Sequence, residues 1–498
     1  RMTFSNGFVQ DYLHGSIHVV ESSCLADDIA NNAFEFLKRI AQVNELGMDE
    51  EHGGILPALY EKIDFIDKEL SAAPYLNPNE YHVKRHRVSD LIFPFGCNSS
   101  QEKAVRCAFE NQISVIQGPP GTGKTQTILN IIANILVQGK TVMVVSNNNS
   151  ATANVLEKLQ KYGLGFIVAP LGKRENKEAF VNNQPVVPDE LQTWSLSMAD
   201  SFQEKRRAGD TLKQLRKVFE LQEGLASAKQ ELKAIELEWE HFKQDNQIDE
   251  EAFSLKRTVK SQRIMNLWLR YQSYAEGDVT TYGSFGKLVE RIKWAWMNFT
   301  RKYLFGIKSP LDKINIQSVI LELQALYYIA RMKELTDLID DHTSQLASCD
   351  SKTLSSALTG HSMAVLKNVL NNRYIKEQRR MFNDVKELRL YAEELVNQYP
   401  VVLSTTFSAR TAVPDIVYDY LIMDEASQVS IETGALALTC AKNAVIVGDT
   451  LQLPNVVTDE DKLKLDTIFK EYQVFEGYDC VEYSFLQSVC AVIPNFKQ

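Results

Sequence analysis

The sequence has few cysteines and no pattern that would hold a metal through cysteine or histidine. Its seven cysteines are scattered over 498 residues, and none of them forms a C-x-x-C pair. This excludes a zinc-ribbon signature and fits a reducing, cytoplasmic compartment. The eight histidines do not cluster with the cysteines. His82 and His86 lie four residues apart in the basic run 81–87, which contains no acidic residue or cysteine, so the sequence predicts surface histidines there.

Long hydrophobic runs are also absent. No stretch of about 18 apolar residues occurs, which excludes a transmembrane helix, and the N-terminus has no signal-peptide core. We therefore expect an intracellular protein without a membrane partner. The chain begins Arg1-Met2, which we expect to mark an internal fragment or a cloning scar. A net charge of −10 excludes a uniformly basic nucleic-acid coat but leaves room for a local basic groove.

The chain is too long for one hydrophobic core, and its patterns divide it into four parts. Residues 1–90 are predicted to be mostly helical, notably at 26–43 and 55–70. Residues 91–175 and 399–498 alternate short apolar runs with helical segments, which predicts an α/β fold with one doubly wound parallel sheet. A long insertion, residues 176–398, separates the two halves. At least five strands are expected, at Ser114–Gln117, Thr141–Ser146, Val401–Thr405, Tyr420–Met423 and Ala444–Val447.

The insertion differs from its flanks because its apolar residues alternate spacings of three and four. Such spacing is typical of a coiled-coil seam. We expect an antiparallel helical stalk with a smaller helical tip, and the alternative is an ordinary helical bundle packed on the sheet. The first seam runs through Val218, Leu221, Leu225, Ala228, Leu232, Ile235, Trp239 and Phe242, and the second through Met381, Val385, Leu388, Ala392 and Leu395.

A complete phosphate-binding loop follows the first predicted strand and precedes a helical segment. Glycines let such a loop fold with its N–H groups turned inward, and the helix N-terminus attracts anions. Lys124 is expected to reach the β- and γ-phosphates, and the hydroxyl of Thr125 to hold Mg²⁺. We therefore predict that a nucleoside triphosphate binds to Gly118, Pro119, Pro120, Gly121, Thr122, Gly123, Lys124 and Thr125.

Residues on three other segments fit the same site. An apolar run ends in Asp424, a candidate ligand of Mg²⁺, and Glu425, a candidate base for the attacking water. The next run leads to Asp449, which would arrange the metal or the sensor, and Gln452, a candidate γ-phosphate sensor. A turn in which Asp449 only caps a helix is the alternative. The amide of Gln101 can pair with an adenine edge, or the residue can simply begin a helix.

These segments resemble superfamily 1 helicases of the nonsense-mediated-decay and senataxin-like branch. The resemblance implies a RecA-like P-loop fold, ATP and Mg²⁺ as cofactors, and translocation on single-stranded DNA or RNA, usually 5′ to 3′. It does not extend to residues 1–90 or to most of the insertion. The segments that carry it are Asn98–Gln101, Gly118–Thr125, Val144–Asn154, Asp424–Gln428 and Gly448–Pro454.

The resemblance also implies a nucleic-acid contact in the segment after the second predicted strand. Short amides and hydroxyls at a helix N-terminus suit phosphate oxygens without reading sequence. Thr405, at the end of another strand, is a weaker candidate of the same kind. The alternative is a loop that only caps the helix predicted at 153–160. The candidates in the segment itself are Ser146, Asn147, Asn148, Asn149 and Ser150.

The sequence departs from the family pattern in two ways. The insertion is much longer than the family's usual one, which suggests an extra binding arm. The chain also stops at Gln498, where the family's second RecA-like domain should follow. That domain supplies an adenine-stacking aromatic and arginines that speed phosphoryl transfer. We therefore expect this chain alone to bind ATP, to hydrolyse it slowly and not to unwind nucleic acid.

Phe285–Lys308 mixes six basic with six aromatic residues. This composition suits single-strand binding, in which bases stack on aromatic rings and cations follow phosphates. An amphipathic helix with a buried aromatic face is the more ordinary interpretation, and a membrane surface is the third.

Two other function classes remain open. One is a structural or repair ATPase with a coiled coil between its nucleotide motifs, although no Leu-Ser-Gly-Gly-Gln-like signature precedes Asp424. The other is an ATP-dependent switch that binds a protein partner through the stalk.

Overall fold

The computed structural model describes residues 2–3, 7–11, 22–43, 48–49, 53–86, 88, 90–248, 259–275, 295, 299, 316–376, 378–452 and 459–493. The chain divides into two compact units. One, here called the sheet unit, comprises Arg1–Leu212 with Ser355–Gln498, and the other, the helical unit, comprises Lys213–Leu354. Among the described residues, no helix is both long and apolar enough to span a membrane.

The strands of the described residues are β1 (Met2–Thr3), β2 (Val9–Gln10), β3 (Met48–Asp49), β4 (Gly53–Gly54), β5 (Ile113–Gln117), β6 (Val142–Ser146), β7 (Val168–Pro170), β8 (Val401–Thr405), β9 (Tyr418–Asp424) and β10 (Ala441–Gly448). The first α-helices are α1 (Asp28–Ala41), α2 (Ile55–Tyr60), α3 (Ala72–Leu76), α4 (Ser99–Glu110), α5 (Lys124–Val137), α6 (Asn149–Lys161), α7 (Arg174–Asn182), α8 (Met198–Asn246) and α9 (Ser261–Ala275). The remaining helices are α10 (Ile316–Ser348), α11 (Ser351–Tyr374), α12 (Val385–Leu390), α13 (Ala392–Gln398), α14 (Ala409–Ala412), α15 (Ile431–Leu438), α16 (Asp459–Tyr472) and α17 (Phe485–Val492).

A six-stranded parallel sheet, in the order β5-β10-β9-β6-β8-β7, organises the sheet unit. This confirms the α/β fold class with helical regions. The central strands are buried along their length, which explains their continuous apolar sequences. The five predicted strands are present, and β7 adds a sixth strand of only three residues.

The register of the sheet brings the candidate site to one edge. Gly448 pairs with Gln117, and Ser146 pairs with both Asp424 and Thr405. Because the strands are parallel, their carboxyl ends meet there. Ligand sites of open α/β sheets form at this edge.

The N-terminal helices belong to the sheet unit. Phe36 of α1 lies edge-on to Phe469 with ring centroids 6.0 Å apart. The hydroxyl of Tyr60 donates to the carbonyl of Glu432 at 2.6 Å, and Tyr75 and Ser488 share a hydrogen bond at 2.7 Å. The helix predicted at 55–70 is shorter than expected, since α2 ends at Tyr60.

In the helical unit, the first predicted seam lies on α8, a continuous helix of 49 residues. Its partner is α10. Ala228 and Ile235 of α8 form one buried cluster with Leu335 of α10. Farther along α8, Trp239 lies 5.7 Å from Tyr328, centroid to centroid. Because later residues of α8 meet earlier residues of α10, the two helices are antiparallel.

The second predicted seam, from Met381 to Leu395, does not form the other arm. Two short helices, α12 and α13, replace the expected long one, and residues 378–383 are not helical. Asp384 starts a helix inside the seam, because its carboxylate accepts hydrogen bonds from Lys386 N–H and Glu387 N–H. Leu388 and Leu395 join the hydrophobic core of the sheet unit. The segment Phe285–Lys308 lies outside the described residues apart from isolated positions.

Candidate nucleotide site

The predicted phosphate-binding loop connects β5 to α5. Gly121 and Gly123 have φ of +85° and +84°, a conformation that glycine adopts without a Cβ clash. Gly123 is the N-cap of α5, and no side chain caps this helix end. The first N–H groups of α5 therefore face the loop as an anion site. The loop is also tied to the sheet, since Gly118 N–H donates to Gly448 O at 3.1 Å.

Lys124 folds back over the loop. Its ammonium donates to the carbonyl of Gly118 at 2.5 Å. Thr122 closes the loop from the other side, with its hydroxyl donating to Pro119 O at 2.8 Å. The positive charge of Lys124 is thus held at the mouth of the loop, where a triphosphate would need it.

The Asp424–Glu425 pair lies within reach of the Lys124 charge. Burial raises the pKa of the Asp424 carboxyl, opposed by the Glu425 N–H and by the charge of Lys124. The pKa of Glu425 is also raised, first by burial and then by the charge of Asp424, with Lys124 again opposing. The sequence-predicted cation and carboxylates therefore share one electrostatic environment.

Glu425 has a backbone and side-chain state typical of functional positions. Its φ and ψ of 56° and 36° are left-handed, which costs a non-glycine residue on the order of 1–3 kcal/mol. One carboxylate oxygen, Oε2, is buried without a hydrogen-bond partner among the described residues. The backbone N–H of Glu425 donates to Asp424 Oδ1 at 2.9 Å. Oε2 of Glu425 is therefore a free acceptor for a water molecule.

Thr125 and Asp424 offer an alcohol and a carboxylate, the hard oxygen ligands that Mg²⁺ prefers. Mg²⁺ commonly takes one or two protein ligands and completes its shell with water and phosphate oxygens. The donor set therefore fits a nucleotide-bound Mg²⁺.

Gln101 lies in the first turn of α4 and also contacts the loop. Asn98 and Gln101 form a reciprocal capping box, in which Asn98 N–H donates to Gln101 Oε1 and Gln101 N–H donates to Asn98 Oδ1, each at 2.9 Å. The amide nitrogen of Gln101 donates to the carbonyl of Gly123 at 3.3 Å. The Gln101 side chain therefore both caps the start of α4 and contacts the phosphate-binding loop.

Asp449 and Gln452 follow β10 at the same sheet edge. Asp449 is 7% exposed and accepts a hydrogen bond from Leu451 N–H at 3.0 Å, so its carboxylate shapes a turn. The N–H of Gln452 donates to the carbonyl of Asp449. Thr450 contacts Gln117, the last residue of β5, at 3.5 Å. Residues 453 and 454 of the predicted motif lie outside the described residues.

The nucleic-acid candidates separate into buried and exposed residues. Ser146 is fully buried and Thr405 is 8% exposed. Asn147, Asn148 and Ser150 are exposed. Asn148 caps α6 by accepting from Ser150 N–H at 3.0 Å, so α6 starts earlier than predicted. Of Asn149, only the helical backbone is described.

A cavity whose lining carries four basic and three acidic residues, missed in the sequence, lies beside the segment that follows Thr405. It has a volume of about 680 Å³. Lys177, one of its lining residues, donates to the carbonyl of Thr411 at 2.6 Å, and burial lowers its pKa. The signal in the sequence was the run Gly172-Lys173-Arg174, which begins two residues after β7 ends. The lining residues are Gly172, Lys173, Arg174, Glu175, Lys177, Glu178, Asp384, Val385, Lys386, Ser408 and Thr411.

Comparison with known proteins places the same segments in one family. A family profile described as "AAA domain" matches residues 96–280 and 305–460. DNA polymerase alpha-associated DNA helicase A of Schizosaccharomyces pombe is 37% identical over 71 residues, 14% of this chain and 11% of the relative. ATP-dependent helicase NAM7 of Saccharomyces cerevisiae is 32% identical over 131 residues, which are 24% of this chain and 13% of the relative.

Regulator of nonsense transcripts 1 of Caenorhabditis elegans is 38% identical over 85 residues, 17% of this chain and 8% of the relative. The matches thus span about a tenth of the length of these relatives. The family profile covers more than half of the chain. The chain therefore belongs to the AAA domain family of P-loop proteins, and its curated relatives are superfamily 1 helicases, as the motif resemblance predicted.

Proposed function

We propose that this chain is the ATP-binding part of a nucleic-acid helicase or translocase, which couples ATP hydrolysis to 5′-to-3′ movement on a single strand. The observation that carries the proposal is the common environment of Lys124, Asp424 and Glu425 beside a loop with free helix N–H groups. Loops of this kind hold triphosphates. The names of the relatives, ATP-dependent helicases among them, support the same conclusion.

In the proposed reaction, the loop N–H groups and Lys124 bind the phosphates. Thr125 and Asp424 would hold Mg²⁺, which would neutralise charge on the transferring phosphoryl group. The unpartnered Oε2 of Glu425 accepts a proton from the attacking water and orients it. Gln452, four residues after β10 ends, would contact the γ-phosphate. Loss of that phosphate would then change the turn that begins at Asp449.

The exposed residues at the start of α6 would contact the strand. Asn147 and Asn148 present amides at a helix N-terminus, a combination that binds phosphate oxygens. Ser146 and Thr405 are buried, and we propose that they support the loop and do not contact the strand. Thr405 Oγ1 accepts a hydrogen bond from Ser408 N–H at 3.2 Å.

ATP turnover in the intact protein, with and without single-stranded DNA or RNA, tests the proposal. We expect one of the two nucleic acids to stimulate turnover. Glu425→Gln is expected to keep ATP binding and lose at least about a hundredfold in rate, the usual contribution of a general base. A turnover rate that neither nucleic acid changes would contradict the helicase and favour an ATP-dependent switch acting through the helical unit.

A further inference from the structure

Three amide side chains form a ladder along α5, the helix that begins at the phosphate-binding loop. Gln126, Asn130 and Asn134 are spaced four residues apart, so they share one face of the helix. Asn134 Oδ1 accepts from Ile92 N–H and its Nδ2 donates to Ile92 O. Asn130 Oδ1 accepts from Phe95 N–H and its Nδ2 donates to Gly96 O. The ladder therefore fastens the segment that leads into α4.

Gln126, the first residue of the ladder, connects this segment to Gln101. Its amide nitrogen donates to the carbonyl of Phe95 at 2.5 Å, and its oxygen accepts from Gln101 Nε2 at 3.1 Å. A backbone carbonyl can only accept a hydrogen bond. Phe95 O therefore fixes the orientation of the Gln126 amide, with its oxygen turned toward Gln101.

Gln101 has little hydrogen-bonding capacity left. The two N–H groups of its amide are shared among Gln126 Oε1 and the carbonyls of Thr122 and Gly123. Among the residues that the structure describes, its Oε1 accepts a hydrogen bond only from Asn98 N–H. An amide oxygen has two lone pairs. A single acceptor position therefore remains on Gln101, next to the loop.

We infer that Gln126 is a positioning residue that gives the nucleotide site its preference for a base with an amine at the six-position. The inference rests on the proposed binding of a nucleoside triphosphate. Adenine carries a donor amine there, which the remaining lone pair of Gln101 accepts. Hypoxanthine and guanine carry a carbonyl, which would face the Gln101 oxygen as a second acceptor. Of the three acceptors that share Gln101 Nε2, Gln126 Oε1 is the nearest, while Asn98 N–H holds the Oε1 end of the same amide at 2.9 Å.

The test compares binding of ATP, inosine triphosphate and inorganic tripolyphosphate to the whole chain by titration calorimetry. Inosine triphosphate replaces the six-amine of ATP with a carbonyl, and tripolyphosphate has no base. We expect the wild type to bind ATP at least about tenfold more tightly than inosine triphosphate, the equivalent of one well-formed hydrogen bond and one avoided clash.

Gln126→Met removes both amide functions and is expected to reduce this ratio at least about threefold, while the tripolyphosphate affinity stays within about twofold. Gln126→Glu keeps an acceptor for Gln101 Nε2 but loses the donor to Phe95 O, so it is expected to retain more of the ratio than Gln126→Met but less than the wild type. Gln138→Met, at the exposed far end of α5, is the matched control. If Gln126→Met does not fold, Gln126→Asn carries the same prediction, because its shorter side chain does not reach Gln101.

A ratio that Gln126→Met leaves unchanged would overturn the inference while leaving the proposed function intact. Equal losses for all three ligands would also overturn it, since they would indicate a purely structural role for Gln126. If the wild type bound none of the three, the proposed function would fail and the inference with it.

Discussion

The side-chain amide of Asn147 donates to the backbone carbonyl of Gln428 at 3.2 Å. This bond joins the loop after β6 to the turn that directly follows Asp424 and Glu425. The same loop is tied to the end of β8, because Thr406 N–H donates to Ser146 O at 3.3 Å. An exposed residue at the proposed strand-binding loop is therefore one hydrogen bond away from the turn that holds the proposed catalytic base.

Asn147→Ala should weaken both strand binding and its coupling to ATP. The change removes an exposed amide and the bond to Gln428, worth about 1 kcal/mol, or about fivefold in an equilibrium. Fluorescence anisotropy of a labelled single strand, with and without a non-hydrolysable ATP analogue, measures both effects. Asn183→Ala is the control, since the Asn183 amide donates to Ala179 O at the end of its own helix, α7. An unchanged effect of the analogue on strand affinity would contradict the coupling.

Gly121 and Gly123 form a matched pair that tests whether Gln101 contacts the phosphate-binding loop. Both have a left-handed φ, but a Cβ on Gly123 would lie 2.2 Å from Gln101 Nε2, whereas a Cβ on Gly121 meets no atom within 4 Å. Gly121→Ala should cost about 1–2 kcal/mol of backbone strain. Gly123→Ala should cost about 1 kcal/mol more, because it also displaces the Gln101 amide. Denaturant unfolding compares the two variants, and equal losses would show that Gln101 does not contact the loop.

Asp27 should give the sheet unit an acid-sensitive helix cap. Its carboxylate accepts from Ala30 N–H and from the Asn77 amide, each at 2.8 Å. The Ala30 bond is the main cause that holds the pKa of Asp27 below its ordinary value of 3.8. The cap therefore contributes stability above that value, and the contribution is lost as the pH falls through the lower pKa of the folded state.

Asp27→Ala is expected to cost about 1 kcal/mol at neutral pH, as N-cap replacements do. The loss should shrink as unfolding is measured at progressively lower pH. Asp64→Ala, at an exposed carboxylate of the same region, should change the unfolding free energy by less than about 0.5 kcal/mol. A loss for Asp27→Ala that does not vary with pH would rule out the carboxylate as its source.

The strands and the phosphate-binding loop could be predicted because their sequence signals are local. The loop motif specifies its residues at fixed positions, and strands buried on both faces read as unbroken apolar runs. Strand β7 was missed because three residues are too short for such a run. Gln101 was singled out from its sequence alone, but its contact with Gln126 depends on how α4 and α5 pack, which no single segment encodes.

The long insertion, residues 176–398, shows where hydrophobic periodicity stops being informative. The seam on α8 predicted a long helix but not its partner, because a heptad pattern does not identify the helix that it meets. At 381–395 the same spacing persists across a break, since Asp384 can cap a new helix without disturbing the apolar positions. The cavity beside Ser408 was missed for a similar reason: its lining comes from the start of α7, from the start of α12 and from the segment after β8, which are distant in sequence.

Titration calorimetry of ATP with Mg²⁺ into the chain measures the nucleotide binding on which the proposed function depends. We expect saturable one-to-one binding with a Kd below about 1 mM, in the range of ordinary substrate affinities. Lys124→Ala should raise that Kd at least about tenfold by removing the cation at the loop, and Lys161→Ala, at an exposed lysine of α6, should leave it unchanged. Absence of binding by the wild type, or an equal Kd in Lys124→Ala, would show that the loop at Gly118–Thr125 does not hold the triphosphate.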